Sequence, residues 1–98
     1  ILEALPSDNI SRRISDQLLR SGTSILSNYI EGQAASSKKD FTNFFNISLK
    51  SANESKLWTA LLRDIKRMNS NDAEWLLNEL DQISKIFGSS ILTLKGKR

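Results

Sequence analysis

The chain reads as an all-α protein, and three observations predict this. Valine is absent while leucine and isoleucine are plentiful, and the one proline is Pro6, so no ring clash breaks a helix from residue 7 onward. Apolar residues recur at spacings of three and four in three long stretches, and two-residue alternation runs nowhere for a useful length. The connections between those stretches are short, which makes neighbouring helices antiparallel, as in an up-and-down bundle. The 98 residues suffice for a single domain with one modest core. The reading is therefore three long helices and the stub of another.

Residues 1–5 are the end of a first helix, an apolar tail stopped by Pro6 and the turn-forming Ser7, Asp8 and Asn9. The next helix is expected over about 10–31, with Ser7, Asn9, Ser11 and Ser15 competing as N-caps and Gly32 as a left-handed terminal residue. Ile10, Ile14, Leu18, Ile25 and Tyr29 share one stripe of it, and Leu19, Leu26 and Ile30 a neighbouring one. That is too much apolar circumference for a helix facing one core, and it predicts a second contact, with another chain. Gly22 between the stripes suggests close helix approach. Ser37 with Asp40 starts a helix over about 38–68, whose seam carries Phe44, Trp58, Ile65, Ile47, Leu61 and Met68, interrupted by Ser51 and Glu54. Phe41, Phe45, Leu49 and Ala52 form a second patch. Asn71 with Glu74 caps a last helix over about 72–95, with Trp75 and Ile86 off its apolar seam.

Composition removes much of enzymology. With no cysteine and no histidine there are no disulfides, thiolate nucleophiles, ordinary zinc sites or imidazole acid–base steps. No metal or other cofactor is expected, and the scattered glycines form no phosphate loop. Fourteen Lys and Arg against eleven Asp and Glu give a net charge of +3, which favours anionic partners without demanding nucleic acid. No apolar run reaches membrane-spanning length and no secretory leader is visible, so a cytoplasmic location away from membranes is expected. A chain that opens on Ile1 is expected to lack its natural amino terminus.

Gln17-Leu18-Leu19-Arg20, Ser27-Asn28-Tyr29-Ile30-Glu31-Gly32, Ser37-Lys38-Lys39-Asp40-Phe41 and the stretch from Phe44 to Glu54 together resemble a bacterial family. It is the family of four-helix bundle proteins associated with intervening sequences of 23S ribosomal RNA. The resemblance covers roughly residues 14–94. It departs from the family pattern at Leu19, where an Arg is usual, at Tyr29-Ile30 in place of Ile-Ala, and at Asp40 in place of Glu. It implies an antiparallel four-helix bundle whose first helix is largely missing here, a homopentamer built as a barrel, and a basic surface that contacts nucleic acid. The accessory proteins of diversity-generating retroelements share that design.

The candidate nucleic-acid contacts are Arg12, Arg13 and Arg20, then Lys38 and Lys39, then Arg63, Lys66 and Arg67, with Lys95, Lys97 and Arg98 as a basic tail. Solvated helix faces are the plainer account, and several of these cations suit helix C-termini. Lys38 and Lys39 instead oppose the dipole of a helix start. Ser51 and Glu54 are expected to face Arg20, Ser24 and Asn28 in a buried polar group, since an unpaired buried carboxylate is costly. Asn28, Glu31 and Gly32 complete the structural polar set. Acid–base chemistry by Glu31 and Glu54 lacks any nucleophile or metal partner. Phe41, Phe45, Trp75 and Ile86 are assigned to an oligomer interface, although Trp75 and Ile86 could also stack on bases. The function read from all this is a non-enzymatic, oligomeric, RNA- or DNA-binding accessory. The competing class is a structural scaffold whose partner is another protein.

Overall fold

The computed structural model describes residues 8–94. Three helices account for nearly all of them: α1 (Asn9–Gln33), α2 (Lys38–Asp64) and α3 (Ser70–Leu94), with no strand among the described residues. The expected end of a first helix, residues 1–5, and the tail cations Lys95, Lys97 and Arg98 lie outside them.

Each helix boundary has a local cause. The carboxylate of Asp8 caps α1 by accepting from the Ser11 amide at 2.7 Å, in place of the four expected cap candidates. The helix runs through Gly32, which has no left-handed φ. Its missing side chain instead admits the Phe45 ring, because a Cβ there would stand 3.1 Å from that ring and 3.3 Å from Phe44 Cβ. Gly22, by contrast, meets nothing within 4 Å on that side, so close helix approach is not its reason. Ser37 caps α2 through the Asp40 amide at 3.1 Å. That helix stops at Asp64 rather than near Met68. Lys66 turns left-handed at φ 61°, and the amides of Arg67 and Met68 fold back onto the Leu62 carbonyl at 2.8 and 3.2 Å. The cap of α3 is Asn69, whose Oδ1 accepts from the Asn71 amide at 2.8 Å, so Asn71 is a first-turn residue and not the cap.

The middle helix, α2, packs against both others, and all neighbours are antiparallel. Ser21 meets Ser55, Ser24 meets Ser51 and Asp8 meets Arg67 across α1 and α2; Asn53 meets Ser84 and Lys56 meets Asp81 across α2 and α3. The assembly is a layer 44 by 22 by 14 Å, bent so that Tyr29 of α1 reaches Phe87 of α3 across a trough. Two apolar clusters lie along it. Ile14, Leu18, Leu62, Met68 and Ala73 fill the end at the α2–α3 connection, and Phe45, Phe87 and Ile91 fill the other. Between them runs a band of buried hydroxyls: Ser21, Ser48, Ser51, Ser55 and Thr59.

Candidate nucleic-acid interface

Antiparallel packing sorts the cations into two poles. Arg12 and Arg13 in the first turns of α1 come to the same end as Arg63, Lys66 and Arg67, because the start of α1 lies beside the end of α2. Arg67 Nε stands 3.1 Å from Asp8 Oδ2, closed off from water at ion-pair distance but without hydrogen-bond alignment. Asp8 is held below the usual carboxylate range, first by the Ser11 amide it caps, then by the Ser11 hydroxyl and the Arg67 charge. Arg67 is thus a latch between the start of α1 and the α2–α3 connection. Arg63 leans on its neighbour Asp64 at 3.0 Å. Arg13 lines a shallow pocket of about 320 Å³ with Ile14, Asp16, Gln17 and Trp58, and Lys66 is exposed on its left-handed turn.

Lys38 and Lys39 stand at the opposite pole, in the first turn of α2. Lys38 shares a shallow pocket with Phe41 and Leu94. Arg20 belongs to neither pole. It lies along α1 with its guanidinium bonded to Gln17 Oε1. The expected patch is therefore two end clusters and an isolated side chain.

The expected polar group is realised in part. Ser51 donates to Ser24 Oγ at 2.8 Å, and the Asn28 amide reaches both the carbonyl and the hydroxyl of Ser24. Glu54 does not join them. It is half-buried and accepts from Trp58 Nε1 at 3.2 Å, while Glu31, expected to be buried, is exposed. Trp75 and Ile86 are 58% and 64% exposed. Phe45, expected at an oligomer interface, is instead core, against Phe41, Tyr29 and Phe87 with ring centroids 4.3, 5.9 and 5.1 Å away; Phe41 is half-buried beside it. These rings, with Ile86 and Leu94, line a cleft of about 550 Å³ at the end of the trough. Among the described residues no group of three or more His, Cys, Asp or Glu is placed to hold a metal ion. No helix there is long and apolar enough to cross a membrane.

Comparison with known proteins agrees with the architecture. The family described as 23S rRNA-intervening sequence protein matches residues 1–89. A crystal structure at 1.70 Å of a protein of unknown function, from the S23 ribosomal protein family of Bacteroides thetaiotaomicron VPI-5482, is 41% identical. It superposes with a TM-score of 0.78 over 80% of this chain and 72% of that one. No curated protein matches. The chain belongs to the 23S rRNA-intervening sequence protein family.

Proposed function

From the premise of that membership, we propose that the protein is an oligomeric helical scaffold that binds structured RNA through its basic poles and performs no catalytic step. Arg12, Arg13, Arg63, Lys66 and Arg67 come from two stretches of sequence about fifty residues apart, and their gathering at one end of the layer is the observation that carries this reading. Phosphate binding needs positive charge repeated along a surface, and copies of the chain in one assembly repeat the pole. Arg67 is committed to Asp8 and Arg63 to Asp64, so Arg13 and Lys66 are assigned the direct phosphate contacts. The three helices are read as three members of an antiparallel four-helix bundle, the trough between α1 and α3 being the place of the fourth. Five copies form the assembly.

A second reading, a scaffold for a protein partner, is favoured by the exposed Trp75 and Ile86. Native mass spectrometry with structured RNA at low salt separates the two. The nucleic-acid reading expects a pentamer that gains RNA mass, sheds it as salt rises, and binds less when Arg13 and Lys66 are both changed to Ala. A pentamer that ignores RNA at every salt concentration overturns that reading in favour of the protein scaffold.

A further inference from the structure

Two apolar stripes remain on the outside of the layer. Leu19, Leu26 and Ile30 occupy one side of α1, each more than half exposed. At about 100° per residue they lie about 140° around that helix from Ile14 and Gly32, which face α2. Ile47, Leu57 and Leu61 occupy the side of α2 turned away from both α1 and α3, with Leu57 59% exposed. Neither stripe lines the aromatic cleft at the end of the trough.

We infer that these stripes are the two halves of one repeated seam, α1 of one copy lying against the outer side of α2 in the next. The inference rests on the oligomeric reading above and assigns its faces. Two different apolar faces on one chain are what a head-to-tail ring requires, since each copy must offer one face and receive the other.

The register of the chain itself supplies the fit. Ser21 is level with Ser55, Ser24 with Ser51 and Asp8 with Arg67. That same register sets Leu19 level with Leu57, Leu26 with Lys50 and Ile30 with Ile47. Rotation about an axis parallel to the helices leaves every residue at its own height. In such a ring Leu19 therefore meets the Leu57 level of the neighbouring α2, and Ile30 the Ile47 level. The aliphatic stem of Lys50 covers Leu26, and Leu61 extends the apolar strip toward the basic pole. Arg12 of one copy comes level with Asp64 of the next, an attractive pairing at the end of the seam. The exposed parts of these side chains total roughly 500 Å² of apolar surface. At the usual apolar share of about 57% this makes an interface of about 900 Å², just under the roughly 1,000 Å² that marks a strong specific contact and in the range of weak ones.

The absence of cysteine from the chain permits a direct test. Leu19→Cys and Leu57→Cys are made as separate full-chain variants, oxidised alone and after mixing, and resolved without reductant, with native mass recorded for the unmodified protein. The expected result is no covalent dimer from either variant alone and a disulfide-linked dimer from the mixture. A dimer from Leu57→Cys alone places α2 against α2 and overturns the assignment. An oligomer that gives no cross-link in the mixture overturns the assignment and leaves the oligomeric reading intact. A monomeric native mass overturns both.

Discussion

The aromatic end of the core and its middle are built by opposite means. At the aromatic end Phe45, Phe87 and Ile91 bury large rings, with Phe45 and Phe87 edge to face at 5.1 Å, and cohesion there comes from apolar area. At the middle of α1 and α2 the helices meet through Ser21, Ser24, Ser48, Ser51 and Ser55, and cohesion comes from small size and paired hydroxyls. The glycines of α1 report the same contrast. A Cβ at Gly32 would press on the packed rings, whereas one at Gly22 would meet nothing within 4 Å. One end is therefore held by volume that cannot be removed, and the middle by closeness that tolerates loss of a single bond.

Deleting a ring should have the largest effect. Phe87→Ala is expected to cost about 3–5 kcal/mol in urea unfolding, because the ring leaves a cavity beside Phe45 and Tyr29 that the helices cannot close. The glycines should then respond with opposite signs. Gly32→Ala is expected to lose about 1 kcal/mol, since the Phe45 ring is hemmed in by Phe41 and Phe87 and cannot yield to the new methyl. Gly22→Ala is expected to gain about 0.5–1 kcal/mol from helix propensity alone. Equal signs in thermal melts of the two variants would erase the contrast. Ser55→Ala should cost only about 1 kcal/mol, because the Ser21 hydroxyl, within reach of the Leu18 carbonyl, can turn its proton to that acceptor when the Ser55 oxygen at 2.7 Å is lost. A loss as large as that of Phe87→Ala would show that the hydroxyls, not the rings, dominate.

The smallest expected effect is on acid stability. Asp8 and Asp81 are both held below their ordinary value of 3.8, Asp8 first by the Ser11 amide and Asp81 first by the Lys85 hydrogen bond. A carboxylate whose folded value is depressed contributes stability that is complete above its unfolded value and lost as pH falls through the folded one. Urea midpoints should therefore hold at pH 5–6 and decline below about pH 4. Asp8→Asn, which retains a capping oxygen but no charge, should flatten part of that decline while leaving the neutral-pH midpoint little changed.

Most of the helical plan was legible in the residues, and the exceptions share a physical cause. Period-three-and-four spacing located all three described helices because leucine, isoleucine and phenylalanine mark their buried faces. Apart from Ser51, the hydroxyl band escaped the same reading, since serine scores as polar. It is buried without penalty here because Ser55 and Thr59 donate to carbonyls four residues back in their own helix. A run of small residues at 48, 51, 52, 55 and 59 was the available signal. The end of α2 was misplaced because Ile65 and Met68 extend the apolar pattern, yet Met68 is buried from a reversed turn rather than from helix. Glu54 shared a seam with Ser51 by spacing, but the nearby Trp58 indole captured it. Of the candidate interface, the cations were all visible in sequence. Their division into two poles was not, because it depends on which helix ends meet.

The central claim is that the pole formed by the start of α1 and the end of α2 engages RNA phosphates, and the salt dependence of RNA affinity tests it most directly. The full chain and a variant with Arg13→Ala and Lys66→Ala would be titrated with one structured RNA across a range of salt concentrations. The account predicts a steep linear fall of log affinity with log salt for the unmodified protein. It predicts a slope shallower by about one unit for each phosphate contact removed per bound copy in the variant, with Arg67 and its latch to Asp8 left in place. Identical slopes for the two proteins, or no salt-sensitive binding by either, would contradict it.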